Sequence, residues 1–179
     1  MLKFSKFCKI AIALFTLAIV ATFSTISRKT RLIGAEPAGR APSASDGRLT
    51  AHPSIPAADL ISTQDLVKTL QSPQGERPLL IYVGFRIPYG QGHIPNSEYF
   101  GPAANPAVVQ QLRKRVDGLP RNRFIVLYCG CCPWIHCPNV EPAYDGLHDL
   151  RFTKLKVLYI PSNLGTDWVD KGYPVEKGE

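Results

Sequence analysis

A chain of 179 residues, 45% hydrophobic and 20% charged, has room for one domain with a real core and for a leader or tail besides. Its net charge of +7 is local: residues 1–40 carry Lys3, Lys6, Lys9, Arg28, Lys29, Arg31 and Arg40 against Glu36 alone, which leaves +1 for the remainder. The folded part therefore lacks the basic surface that nucleic-acid binding requires, and no nucleic-acid partner is expected.

At the N-terminus three lysines precede an apolar run over 10–23, broken only by Thr16 and Thr22. This is the pattern of an export signal. Arg28, Lys29 and Arg31 flank the far side, so an uncleaved anchor that holds the protein to the membrane is the equal alternative. Cys8 lies before the run and is assigned no role. Either reading puts the domain outside the cytoplasm, where disulfides persist. Residues 1–34 are read as signal peptide or anchor, 35–56 as a disordered linker rich in Ala, Pro, Ser and Gly, and 57–179 as the folded domain.

Within the domain, Ser62 with Asp65 three residues on predicts the start of a helix over 61–70. Residues 79–83 read as a buried strand, 84–96 as a loop containing Gly92-His93-Ile94-Pro95, and 97–100 as a short strand. Asn105 and Pro106 predict a cap and first position for a helix reaching about Val116. The run 124–128 is apolar without alternation, as in a strand covered on both faces, and it ends at Cys129. A helix over 140–150, with Asn139 as its expected cap, and a strand over 156–160 follow. Strands alternating with short helices predict an α/β fold with a central parallel sheet, helices on both faces, and strand C-termini at the ligand-binding rim.

Four of the five cysteines, Cys129, Cys131, Cys132 and Cys137, fall in one loop between a strand and a helix N-terminus. Unpaired amides and the helix dipole at such a place favour a thiolate, so Cys129 is the candidate nucleophile, with Cys131 and Cys132 as possible resolving thiols. A structural bridge such as Cys132–Cys137 is an equal reading of the others. Cys131, Cys132, His136 and Cys137 also form an alternative soft-metal set for zinc or copper, though at a spacing unusual for zinc. Trp134 either covers the site or packs the loop, and His93 is expected as scaffold.

The fragments Gly92-His93-Ile94-Pro95, Tyr128-Cys129, Asp167-Trp168 and Gly172-Tyr173-Pro174-Val175 resemble a single-domain rhodanese, and the Cys-Gly-Cys-Cys-Pro-Trp loop resembles a cysteine-rich subgroup of that family. The resemblance implies a sulfurtransferase with Cys129 carrying a persulfide, a small sulfur donor and a thiol acceptor as partners, and no cofactor. Gly130, Trp134, Asn139 and Arg86 would then contact substrate. Two departures stand out: Tyr82 and Gly84 occupy the places of the family's Asp and Arg, and the loop holds neither Arg nor Lys, which disfavours thiosulfate as donor. The position an anion-binding Arg would need in a phosphatase of this fold is Ile135, which argues against that activity. A rhodanese fold left inactive by disulfides within the loop is the remaining alternative.

Overall fold

The computed structural model describes residue 52 and residues 54–178; the expected signal or anchor, Cys8 and most of the linker lie outside them. Five strands, β1 (Leu60–Ile61), β2 (Leu79–Tyr82), β3 (Ser97–Tyr99), β4 (Ile125–Tyr128) and β5 (Leu155–Leu158), form one sheet in the order β1-β5-β4-β2-β3. Every pairing is parallel. The helices are α1 (Thr63–Gln71), α2 (Arg86–Gln91), α3 (Pro106–Val116) and α4 (Val140–His148).

Alternation along the two inner strands sorts the core into two layers. Ile81, Val83, Ile125, Leu127 and Cys129 pack with Leu112 and Val116 of α3 and with Val140, Ala143, Tyr144 and Leu147 of α4. Leu80, Tyr82, Val126 and Tyr128 pack on the other face with Leu66 and Val67 of α1, Tyr89 of α2, and Trp168. All four residues of β4 are buried, as a strand covered on both faces demands. Ile55 is already part of this core.

Local chemistry explains the helix ends. Ser62 Oγ accepts from the Asp65 N–H at 3.0 Å and donates to the Asp65 carboxylate at 2.7 Å, so cap and third residue hold each other. Asn105 Oδ1 accepts from the Ala107 N–H at 3.0 Å, ahead of Pro106. Two elements depart from the sequence reading. The predicted first helix starts at Thr63 because Leu60 and Ile61 pair with Val157 and Leu158 as an edge strand. The stretch read as a loop contains α2: Pro88 sits in its first turn, where a missing N–H breaks no helical hydrogen bond, and Gly92 ends it by donating to the Pro88 and Tyr89 carbonyls.

Strand order locates the crevice. From β2 the chain moves outward to β3, and from β4 it moves outward to β5 on the opposite side. The carboxyl ends of β2 and β4 therefore form the topological switch point, where open parallel sheets bind ligands. Tyr82 pairs with Tyr128 there, and the Val83 N–H continues the ladder to the Tyr128 carbonyl at 2.9 Å.

Candidate functional site

The cysteine loop leaves β4 at this point and is held by main-chain bonds. Leu164 N–H donates to the Gly130 carbonyl at 3.0 Å, and Trp134 N–H donates to the Pro161 carbonyl at 3.1 Å. Gly130 has to be glycine: a Cβ there would lie 2.5 Å from Leu164 Cβ. Pro133 leads into a 3-10 turn, Trp134–His136, and the buried Trp134 ring meets Tyr159 edge-on at 5.4 Å and His52 at 5.6 Å. Trp134 thus packs the loop, whereas a cavity of about 370 Å³ opens beside it, lined by residues that include Tyr82, Gln91, Gly130, Cys131, Asn163 and Leu164.

Cys129 is 4% exposed, and its Sγ lies 3.1 Å from Cys131 Sγ, which is 3.5 Å from Cys132 Sγ. All four loop cysteines are free thiols, so the expected Cys132–Cys137 bridge is not formed and the loop is not locked by disulfides. Its main-chain bonds to Pro161 and Leu164 hold it instead. Of the alternative metal set, Cys131 and Cys132 come together, joined by Cys129. Among the described residues the three candidate donors within 4.8 Å of one another are Cys129, Cys131 and Cys132, without Cys137 or His136, which is exposed on the turn.

The thiols titrate apart. Cys131 is lowered to about 6, first by the hydrogen bond from Cys129, then by Cys132 and the main-chain amides of Phe85 and Cys131 itself, all working against burial. Cys137 is likewise lowered to about 6, first by Cys129 and then by the Asn139 and Val140 amides at the start of α4. Cys129 is raised, first by its hydrogen bonds with Cys131 and Cys137 and then by burial. Burial, followed by the charge on Cys137, pushes Cys132 up to about 12. The helix-end amides thus act on Cys137 and not on Cys129, and the loop cysteine that lines the cavity is Cys131, whose pKa is lowered.

The other expected contacts are distributed differently from the sequence reading. Asn139 stands at the N-cap position of α4 but makes no side-chain cap hydrogen bond. It is wholly buried, with Oδ1 accepting from the Ala104 N–H at 3.0 Å and Nδ2 3.7 Å from Cys129 Sγ, so it ties the loop to the segment before α3. Arg86 is exposed and lies over the Tyr99 ring at 5.2 Å. His93 is scaffold: its Nδ1 is 2.9 Å from the Tyr89 carbonyl, its ring stacks on Tyr89 at 3.8 Å, and its main chain pairs with Glu176.

Sequence reasoning passed over Tyr82, Gln91, Asn163 and Leu164 as site residues. Tyr82 Oη is buried without a hydrogen-bond partner among the described residues. A Cβ on Gly84 would lie 2.8 Å from that oxygen and 2.9 Å from Cys129 Sγ, so both atoms face the space left by the absent side chain. A tyrosine closing a buried strand two residues before a glycine was the available signal.

No protein-family model matches this chain, and no curated protein matches it. Among solved structures it is similar to a rhodanese-like domain of a protein from Anabaena sp., with 20% identity, 66% of this chain and 79% of that one covered, and a TM-score of 0.48. It is also similar to a rhodanese-like domain protein from Staphylococcus aureus (14% identity, 68% and 99% covered, TM-score 0.42) and to an E. coli rhodanese with anions (19%, 57% and 100%, TM-score 0.38).

Proposed function

We propose that this chain is a rhodanese-like sulfurtransferase that carries sulfane sulfur as a cysteine persulfide outside the cytoplasm. The observation that carries the reading is the Cys129–Cys131 pair, with sulfurs 3.1 Å apart, at the switch point of a parallel sheet and beside a cavity. The thiolate is the reactive form of cysteine, and Cys131 has both the lowered pKa and the open side. Its thiolate attacks the outer sulfur of a donor R–S–S⁻; the donor S–S bond breaks, RS⁻ leaves, and Cys131–S–S⁻ remains. An acceptor thiolate then attacks that outer sulfur and releases the Cys131 thiolate.

This exchanges the two roles expected from sequence, with Cys131 attacking and Cys129 behind it. The cavity lining contains no cationic side chain among the described residues to meet the two charges of thiosulfate, which favours an organic persulfide. Export rests on the N-terminal pattern of lysines and apolar residues alone.

The test is intact-mass measurement after incubation with a small organic persulfide, followed by peptide mapping. One added sulfur on Cys131, absent from Cys131→Ser, is expected; uptake that persists in that variant sinks the assignment. The short Cys129–Cys131 distance also favours a second reading, thiol-redox exchange, in which Cys129 attacks the inner sulfur of the persulfide, closes a disulfide and expels HS⁻. Sulfide release with a mapped Cys129–Cys131 bond, instead of transfer to the acceptor, would identify it.

A further inference from the structure

We infer that the Tyr82 hydroxyl is the hydrogen-bond donor for the terminal sulfur of the cysteine persulfide. The inference rests on the sulfur-carrier reading and adds a residue to it. Tyr82 is wholly buried, and its Oη has no hydrogen-bond partner among the described residues, an arrangement that folded cores rarely keep. The orphan oxygen does not lie in an arbitrary part of the core. Tyr82 and Cys131 line the same cavity, and the Gly84 Cβ position lies 2.8 Å from Tyr82 Oη and 2.9 Å from Cys129 Sγ.

The surrounding groups leave this task to Tyr82. The cavity lining includes no cationic side chain among the described residues, so no cation there meets the sulfur anion. The neighbouring tyrosine, Tyr128, is committed to the Ile94 N–H and Ser97 Oγ. Gln91 and Asn163 also line the cavity, but neither combines complete burial with an unpaired polar atom. A persulfide anion appears only after the donor S–S bond breaks, so a hydroxyl waiting for it stabilises the product side of the step without first having to leave another partner. The proton stays on oxygen throughout, since burial and the nearby cysteines hold this hydroxyl far above the usual tyrosine range. A side chain at Gly84 would press on both the hydroxyl and the Cys129 sulfur, and glycine avoids this.

The experiment compares Tyr82→Phe with the wild-type protein, using a small organic persulfide as donor and a low-molecular-weight thiol as acceptor. The variant is expected to load sulfur about tenfold to a hundredfold more slowly, the scale of one hydrogen bond to a charged atom. Its bound persulfide should ionise at higher pH, read from ultraviolet absorbance of the loaded protein, while its thermal midpoint is unchanged. Loading and ionisation equal to wild type would overturn the inference and leave the sulfur-carrier reading standing. Slower loading accompanied by a lower thermal midpoint and an unmoved ionisation would assign Tyr82 a packing role and also overturn it. Wild-type protein that takes up no sulfur would overturn the sulfur-carrier reading and this inference together.

Discussion

The ends of β2 and β4 carry the same residue at the same level: Tyr82 pairs in register with Tyr128, and their rings meet edge-on at 5.1 Å. Both are wholly buried, and burial raises both hydroxyls above the ordinary tyrosine range. Their bonding differs. Tyr128 Oη accepts from the Ile94 N–H at 3.0 Å and shares a hydrogen bond with Ser97 Oγ at 2.6 Å, joining the turn before β3 to the centre of the sheet. Tyr82 Oη meets nothing of the kind. A buried hydroxyl with partners is a joint between elements; one without partners joins nothing, and stability does not account for it. The contrast separates architecture from reactivity within one layer of side chains.

Variants can sharpen or break that contrast. The largest effect is expected just beyond the end of β4, where Cys131→Ser should abolish sulfur uptake as measured by intact mass. Acid comes next. With Cys131 lowered to about 6, loading should be flat above about pH 7 and fall about tenfold per unit below about pH 6, as the thiolate is protonated. A rate that instead climbs only toward pH 9 would return the attacking role to a raised thiol such as Cys129. Gly130→Ala puts a carbon 2.5 Å from Leu164 Cβ and should cost about 1–3 kcal/mol in denaturant unfolding. Tyr128→Phe strands the Ile94 N–H and should cost about 1–2 kcal/mol. Tyr82→Phe should change stability least, by about zero or slightly upward. If the two tyrosine variants prove equally unstable, the distinction between them fails.

The sheet was legible because β2 and β4 are uninterrupted apolar runs and because Ser62, Asn105 and Pro106 announce their helices in local chemistry that needs no tertiary contact. The two-residue β1 was not: at that length no periodicity exists, and only pairing with β5 defines it. The short α2 was hidden by Pro88, Gly90 and Gly92, which punctuate sequence whether or not a turn of helix lies between them. Within the site, the crowding of cysteines and their place after β4 could be read directly. The division of charge among them could not, since it depends on which thiol donates to which across 3.1 Å. Asn139 shows the same limit: its residue type and position suit a cap, but its side chain is taken by Ala104 N–H from another part of the chain. Tyr82 was visible as a residue, yet nothing local marks its oxygen as unpaired.

The lack of cationic side chains in the cavity lining among the described residues carries a consequence for how encounters with donors respond to their medium. Long-range attraction between ions shortens with ionic strength, to about 8 Å under physiological conditions, and sites fed by such attraction slow down as salt rises. Here no cationic side chain in the lining draws an anionic donor from a distance, so loading with a small organic persulfide should not slow as salt rises.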